Sequence, residues 1–321
     1  MITPKVSLLI PVYNGRKYLA ECLDSVLAQD FADMEILIAD DGSTDGSREL
    51  IQSYAEKEPR LRWWRNPKNL GLAGNFNHCL RAARGQYIKY LLQDDKLLSP
   101  AALRRMADVL DRHPAVSLVG CASHVIDARS QSLELRDYFH GAEVMEGKAA
   151  ILHCLAKNGN CIGEPSVVMF RREQAARGYD ERYRQLIDLD FWFHLLEQGQ
   201  FGYIAEPLCA FRQHPEQQTA VNREAMAHVQ DELMLARHWL RRPWLQEMAA
   251  RRVLFKQIYN LRKHYGERGR PYVRDIMAVL TPKWYAVYWV EYKLCRPFMN
   301  LSRWWRKRRP PRSGRWPADG K

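Results

Sequence analysis

Short apolar runs alternate with amphipathic stretches through the first 120 residues of the chain. The runs at 6–10, 35–39, 87–92 and 116–119 are rich in Val, Ile and Leu, as buried strands are. Between them, apolar residues recur at the three- and four-residue spacing of a helix that buries one face. This alternation predicts an α/β fold, in which helices cover both faces of a mostly parallel sheet.

Turn and capping residues predict where some helices begin and end. Ser43 or Thr44 is expected to cap the helix after the second strand, because a hydroxyl can accept a hydrogen bond from a first-turn N–H. Gly85 is expected to end a helix over 72–83, since glycine is common just past the last helical residue. The pattern from 123 to 163 is irregular and predicts no element.

The organisation of the chain changes near residue 220. Residues 1–220 carry the strand and helix patterns, residues 221–281 are helical by pattern, and residues 282–321 form a basic, aromatic tail. From Lys283 to Lys321, eleven Lys and Arg stand against two acidic residues, so this segment holds +9 of the net charge of +12. The basicity therefore belongs to the tail, and the body is close to neutral.

Aromatic and basic residues are interleaved in that tail. Trp284, Tyr288 and Tyr292 recur every fourth residue, and a basic cluster follows at 303–309. This composition suits an anionic membrane surface, where each basic residue contributes about 1 kcal/mol. The alternative is that the aromatics pack on the preceding domain and only the last residues form a solvated basic tail.

Two pairs of aspartates follow strands of the predicted sheet, and ligands of such sheets bind beyond the carboxyl ends of the strands. Asp40 and Asp41 follow one strand, and Asp94 and Asp95 follow another. The first pair could accept a hydrogen bond from a nucleobase N–H. The second could hold a divalent cation on a diphosphate, because hard cations prefer oxygen ligands. Each pair alone is compatible with a solvated turn, but their coincidence at one sheet edge favours a nucleotide site.

Two further clusters are candidates for chemistry. Asp188 and Asp190 open a predicted helix beside apolar Phe191 and Trp192, where a carboxylate could act as a general base toward a hydroxyl. Acidic residues in a first turn also stabilise a helix through its dipole. His214 precedes a proline in a loop, where the ring is either solvated or available as a neutral metal ligand.

Taken together, these blocks resemble the family 2 glycosyltransferases, which have the GT-A fold. The blocks that carry the resemblance lie at 6–14, 39–45, 69–71, 83–87, 93–95, 163–171, 188–192 and 212–215. The resemblance covers roughly the first two thirds of the chain. It implies a Rossmann-like, GT-A catalytic domain over 1–220, followed by a helical C-terminal extension.

The resemblance also implies a role for each candidate residue. On the nucleotide-sugar side these are Pro11, Tyr13, Asp40, Asp41, Asn69 and Asp94. Mn²⁺ or Mg²⁺ would be held principally by Asp95, with Asp94 and His214. Asp188 falls on the position of the catalytic base, and Asp190 is its rival.

Two positions depart from the family pattern. The family's Glu-Asp pair has Ile187 in place of its glutamate here. The metal motif often reads Asp-x-Asp-Asp, whereas Leu92 and Gln93 occupy its first two positions in this chain.

The activity that this resemblance implies is an inverting, metal-dependent transfer of a sugar from a nucleotide sugar, UDP-linked by default. The acceptor would be a hydroxyl of a glycan or of a lipid-linked sugar in cell-surface polysaccharide synthesis. A sugar nucleotidyltransferase is the enzymatic alternative. A basic nucleic-acid-binding protein is another, but the charge lies in a tail without a recognition fold, so no nucleic-acid partner is expected.

The expected location is the cytoplasm, with peripheral attachment to the inner face of the plasma membrane through the tail. The first residues have neither a basic segment nor a long apolar core, so they do not resemble a signal peptide. No stretch approaches the roughly 18 apolar residues that span a bilayer. Seven scattered cysteines without a CxxC pair favour a reducing compartment.

Overall fold

The computed structural model describes residues 3–141, 143–157, 159–217, 227–239 and 241–245, with isolated positions between 219 and 290. Two compact units are present, Met1–Trp239 and Leu240–Lys321. The first unit therefore extends past the boundary expected at residue 220. Of the predicted tail, only Ala286, Val287, Trp289 and Val290 are among the described residues, so the proposed membrane-binding segment lies almost entirely outside them.

A single ten-stranded sheet organises the described part of the first unit, in the order β3-β2-β1-β4-β9-β6-β10-β5, with β7 beside β6 and β8 beside β10. The strands are β1 Val6–Val12, β2 Met34–Asp40, β3 Leu61–Arg65, β4 Tyr87–Tyr90, β5 Lys96–Leu97, β6 Val116–Ile126, β7 Ser132–Arg136, β8 Val144–Glu146, β9 Val168–Arg171 and β10 Gln200–Arg212. Strands β3, β2, β1 and β4 are mutually parallel. Strand β9 runs antiparallel between β4 and β6.

Seven α-helices of the described chain accompany the sheet. They are α1 Arg16–Leu27, α2 Ser47–Ala55, α3 Gly71–Ala82, α4 Ala102–Arg112, α5 Gly147–Lys157, α6 Ile187–Leu196 and α7 Ala227–Trp239. Every residue of β1 and of β2 is buried, as expected for strands covered on both faces. The predicted α/β fold with a mostly parallel sheet is confirmed. No helix among the described residues has the length and apolar character that crossing a bilayer requires.

The capping predictions were wrong, because contacts from distant segments occupy those positions. Helix α2 begins after Gly46, whose φ of +88° is left-handed, and the Asp45 carboxylate accepts from the Ser47 N–H at 3.0 Å. Ser43 instead accepts a hydrogen bond from the Asn14 N–H. Helix α3 ends at Ala82 with Ala83 as its C-cap residue, and Gly85 serves close packing: a Cβ there would lie 2.4 Å from the Ser7 nitrogen.

Strand β10 had no counterpart in the sequence interpretation, although it is thirteen residues long. It pairs in parallel with β6, and its register shifts between Ile204 and Pro207 and again between Pro207 and Cys209. These irregularities interrupt the alternation by which a strand is recognised. The irregular segment from 123 to 163 likewise contains the end of β6, β7, β8 and α5. Strand β10 delivers Arg212 to the edge of the sheet where β1, β2 and β4 also end.

Candidate active site

A cleft of about 520 Å³ opens beyond the ends of β1, β2 and β3. The residues lining it are Tyr13, Gly42, Arg65, Asn66, Pro67, Lys68 and Asn69. Two residues expected on the nucleotide side, Tyr13 and Asn69, thus line the cleft. Of the others, Pro11 is buried within β1, while Asp40 and Asp41 immediately precede the lining residue Gly42.

Asp41 is buried and holds the start of helix α3. Its carboxylate accepts hydrogen bonds from the Asn66 side chain at 2.7 Å, from the Leu70 N–H at 2.8 Å and from the Gly71 N–H at 3.0 Å. Unpaired N–H groups at a helix N-terminus favour such an anionic acceptor. The contacts of Asp41 in this structure therefore fix the loop that forms the cleft wall.

Asp40 is also buried, but one of its oxygens is free of hydrogen bonds. Oδ1 accepts from the Ser43 N–H at 2.9 Å, whereas Oδ2 has no hydrogen-bond partner among the described residues. The Arg65 Nε lies 3.7 Å from Oδ2, within ion-pair distance only. A buried acceptor without a donor is costly, and Oδ2 is the carboxylate oxygen of this pair that lacks one; the Asp40 side chain is fully buried in this structure.

Asn66 is a cleft residue that sequence reasoning missed. Its side-chain N–H groups donate to Asp41 at 2.7 Å and to Asn75 at 2.9 Å, and its oxygen lies 2.7 Å from the His78 ring nitrogen Nδ1. Asn66 directly follows β3, at the same sheet edge as the acidic pairs. That strand-end position was the available signal, but Asn66 stands outside the blocks of the family resemblance.

Asp94 and His214 come together although 120 residues separate them. The His214 Nε2 lies 3.1 Å from the Asp94 Oδ2, and the Gln217 amide is 3.5 Å from the same oxygen. The other ring nitrogen of His214, Nδ1, is buried and has no hydrogen-bond partner in the described chain. The Asp94 side chain keeps 18% of its surface exposed, so one member of this pair is accessible to solvent.

Asp95 is placed differently from Asp94. It is 1% exposed, and it accepts hydrogen bonds from the Ser166 hydroxyl on one oxygen and from the Arg212 N–H, at 2.8 Å, on the other. Burial, with the neighbouring charge of Asp94, raises the pKa of Asp95 well above its usual range. Asp95 therefore ties the loop after β4 to the end of β10.

Arg212 is a buried cation beneath the Asp94–His214 pair. Its guanidinium pairs with Glu21, donates to the Asp94 carbonyl at 2.7 Å, and lies 4.6 Å from the centre of the Tyr18 ring. Ion pairing of this kind is what allows a charge to be buried. Glu21 belongs to none of the motif blocks, so its link between helix α1 and this site was not predictable from local sequence.

Two carboxylates at the start of α6 have contrasting surroundings. Asp188 accepts from the Leu189 N–H at 2.7 Å and from the Asn160 amide at 2.9 Å, and it keeps part of its surface accessible. Burial raises the pKa of Asp188 to about 7, and the nearby Glu164 charge acts in the same direction.

Asp190, by contrast, is 2% exposed, and each of its carboxylate oxygens has a partner inside the protein. One of its oxygens pairs with Arg177 at 2.7 Å, and the other accepts from the Trp239 indole at 3.0 Å. These contacts fasten α6 to α7 and to the loop before α6. They leave Asp188 as the carboxylate that can exchange a proton with a ligand.

The side chains of this site can be compared with the ligands that a divalent cation requires. No group of three or more His, Cys, Asp or Glu suited to a metal exists within the part of the chain that the structure describes. Asp94 and His214 nevertheless supply an adjacent carboxylate and imidazole. Such ions commonly take one or two protein ligands and complete their shell with phosphate oxygens and water, so this pair fits a cation shared with a diphosphate.

Residues 7–175, just over half of the chain, match the sequence model of the family described as glycosyl transferase family 2. The chain belongs to this family. The resemblance inferred from the motif blocks is thereby confirmed, and so are the GT-A-type fold and the glycosyltransferase class of enzyme.

Individual proteins to which the chain is similar extend this comparison. The putative teichuronic acid biosynthesis glycosyltransferase TuaG of Bacillus subtilis is 30% identical over 200 residues, which cover 62% of this chain and 75% of TuaG. Among solved structures, S. aureus TarS 1–349 in complex with UDP-GlcNAc superposes with a TM-score of 0.65 at 15% identity, over 85% of this chain and 79% of TarS. The mannosyltransferase PcManGT from Pyrobaculum calidifontis, in complex with GDP-Man and Mn²⁺, gives 0.59 at 18% identity, over 94% and 84%.

Proposed function

We propose that this family 2 glycosyltransferase transfers a sugar, with inversion, from a nucleotide sugar to a hydroxyl of a glycan or lipid-linked acceptor in cell-surface polysaccharide synthesis. The observation that carries the proposal is the gathering of three features in one unit. These are a cleft next to Asp40, whose buried Oδ2 accepts no hydrogen bond among the described residues, the Asp94–His214 pair, and a carboxylate with a pKa of about 7. TuaG, TarS and PcManGT support the substrate class through their names and bound donors.

The nucleoside would occupy the cleft beside Tyr13. Tyr13 is 52% exposed, so its ring offers an open face to a base. Asp40 Oδ2 would accept the N–H of the base once donor binding uncovers this side chain, which is buried here, with Pro11 and Asn69 shaping the surroundings. In this assignment Asp41 acts indirectly, through the loop that it holds.

Asp94 and His214 would hold the cation against the donor diphosphate. When bound, the cation would neutralise the charge that grows on the leaving nucleoside diphosphate. We assign Asp95 to positioning rather than to direct ligation, because it is 1% exposed and its two oxygens accept hydrogen bonds from Ser166 and Arg212 inside the protein. The metal dependence expected from the sequence thus rests on Asp94 and His214.

Asp188 would act as the general base. Its carboxylate removes the proton of the acceptor hydroxyl, whose oxygen attacks the anomeric carbon from the face opposite the diphosphate. The bond between that carbon and the diphosphate oxygen breaks, and the electron pair leaves with the nucleoside diphosphate. A single displacement accounts for inversion, so the mechanism needs no covalent sugar–enzyme intermediate.

A panel of nucleotide sugars tests this function. Each donor is added to the full chain with Mn²⁺ or with EDTA, and the melting temperature is recorded, because a ligand of the folded state raises it. The donor that raises it most is then incubated with candidate acceptors, and the released nucleotide is identified. Nucleoside diphosphate release is expected. Release of pyrophosphate from a nucleoside triphosphate and a sugar phosphate would instead identify the alternative, a nucleotidyltransferase.

A further inference from the structure

Gln93 joins two segments of the proposed donor site through its side-chain amide. Its Oε1 accepts from the Tyr13 N–H at 2.8 Å, and its Nε2 donates to the Tyr13 carbonyl at 2.9 Å. The orientation of the amide is fixed by these partners, since one is a donor and the other an acceptor. A residue next to Asp94 thus holds the backbone of a residue that lines the nucleoside cleft.

The contact between Gln93 and Tyr13 lies just beyond the last backbone hydrogen bond between β1 and β4. Strands β1 and β4 are in register up to Leu9 and Tyr90, and the Leu91 N–H donates to the Leu9 carbonyl at 3.0 Å. Beyond that point the segments that follow β1 and β4 are joined by the two hydrogen bonds of the Gln93 side chain, which resemble one more pair of backbone hydrogen bonds of the sheet. The position of Tyr13 relative to Asp94 therefore depends on this side chain.

The opposite side of the same turn is held by the loop after β2. The Asn14 N–H donates to the Ser43 hydroxyl, and the Asn14 side chain accepts from the Thr44 N–H, both at 2.9 Å. Asn14 has a φ of +51°, a left-handed conformation that costs free energy unless its surroundings fix it. Gln93 supplies the restraint on the Tyr13 side of this turn.

Gly15 makes room for the Gln93 amide. A Cβ on Gly15 would lie 2.3 Å from the Gln93 Oε1 and 2.5 Å from its Cδ, which is far inside van der Waals contact. The Gly15 backbone, with φ of −101° and ψ of 5°, is compatible with an L-residue. An alanine at position 15 would therefore act on the side chain of Gln93 rather than on the local backbone.

We propose that Gln93 is a positioning residue that sets donor affinity by fixing Tyr13 against the nucleoside, and that Gly15 is required because it leaves space for this contact. The proposal rests on the proposed function, since it needs the cleft beside Tyr13 to be the nucleoside site. Gln93 occupies the second, variable position of the Asp-x-Asp-Asp motif.

The test is a double-mutant cycle on the full chain. Titration calorimetry with UDP and with GDP, each in the presence of Mn²⁺, gives Kd for the wild type, Gly15→Ala, Gln93→Ala and the double variant. Each single variant is expected to raise Kd about ten-fold, as two lost hydrogen bonds of modest net value imply. The double variant should be no worse than Gln93→Ala, because the shortened side chain no longer meets the new methyl group.

Two further variants test whether Gln93 acts through Tyr13: one carries Tyr13→Ala, and the other is a matched control. In a Tyr13→Ala chain, Gln93→Ala should change Kd less than two-fold further, because the ring that Gln93 positions is gone. Gln52→Ala removes an exposed glutamine of α2, whose side-chain amide donates to Glu56 and to no other side chain of the described residues, and it should leave Kd unchanged. In turnover assays, Gln93→Ala should raise the donor KM about ten-fold and change kcat less than three-fold.

The outcomes separate this inference from the function on which it rests. If the wild type binds neither nucleotide, the proposed donor site is wrong and the role of Gln93 fails with it. If the wild type binds one but Gln93→Ala binds equally well, only the inference is overturned. Additive losses in the double variant, or a fall in kcat without a rise in KM, would also overturn it.

Discussion

At the scale of single residues, Asp188 and Asp190 show how two carboxylates on one helix acquire different chemistry. Asp188→Asn should lower kcat by about 10²-fold or more, because a positioned general base contributes 10² to 10⁴. Donor Kd should stay within about two-fold, since in the proposed mechanism Asp188 contacts the acceptor and not the donor. Asp190→Asn should mainly lower the free energy of unfolding, by about 2 kcal/mol, through the loss of a charged partner for Arg177.

The pH profile provides the control for this assignment. A base must be unprotonated to work, so a raised pKa of about 7 for Asp188 means that kcat/KM for the acceptor should fall as the pH drops through 7. That limb should be absent from the residual activity of Asp188→Asn and retained in Asp190→Asn. A larger loss of kcat in Asp190→Asn, with the limb gone, would reverse the two roles.

The adjacent aspartates after β4 make a second comparison between residues. Asp94→Asn should remove the dependence of UDP affinity on Mn²⁺, because it weakens the carboxylate beside His214. Asp95→Asn should lower the melting temperature, since an amide cannot accept from both Ser166 and Arg212 as the carboxylate does. Calorimetry with Mn²⁺ or EDTA measures the first effect. Loss of the Mn²⁺ dependence in Asp95→Asn alone, at an unchanged melting temperature, would make Asp95 the ligand.

At the scale of elements, the sequence predicted most reliably the strands that are buried on both faces. In β1 and β2 a short, continuous apolar run predicts a strand buried on both faces. The acidic pair after β2 lies at the edge where such sheets bind ligands. Strand β10 escaped prediction because Glu206 and Pro207 interrupt its apolar pattern, although pairing with β6 continues on both sides. Pairing with β6, which is distant in sequence, keeps β10 a single strand across an irregularity that its local sequence pattern indicates as the end of a strand.

The same distinction applies to the site. The strand-end positions of the acidic pairs were predictable, since they follow from the apolar runs that precede them, and their roles in a site stay a prediction. The division of labour within each acidic pair was not, because it depends on partners far along the chain. Asp190 is engaged by Arg177 and Trp239, and Asp95 by Ser166 and Arg212. Burial and hydrogen bonding, rather than position in the motif, decide which carboxylate stays available.

At the scale of the whole molecule, the distribution of charge sets the last prediction. The segment from Lys283 to Lys321 holds +9 of the +12 charges, so an anionic membrane should attract the chain mainly through this end. We expect the full chain to sediment with vesicles of anionic lipid. Salt should release it only in part, because the Debye length falls from about 10 Å at 0.1 M to about 3 Å at 1 M while burial of aromatic groups is unaffected.

Neutralising the basic cluster in the full chain tests this directly, because it leaves the aromatic residues in place. The four substitutions are Arg306→Ser, Lys307→Ser, Arg308→Ser and Arg309→Ser. The variant should sediment several-fold less at 0.1 M salt, since each basic residue near the surface contributes about 1 kcal/mol. Its transfer to a soluble acceptor should be unchanged, because the proposed catalytic residues all lie within Met1–Trp239.

A charge-matched control distinguishes the tail from net charge alone. It removes four exposed basic residues of the first unit, namely Arg48, Lys57, Arg81 and Arg129. This control should sediment like the wild type, because attraction to a surface falls off within a Debye length and depends on where the charge lies. Equal loss of sedimentation in both variants would make binding a matter of net charge. Unchanged sedimentation of the tail variant would place membrane affinity elsewhere, and the aromatics of 282–321 would then be better explained as packing against the rest of the protein.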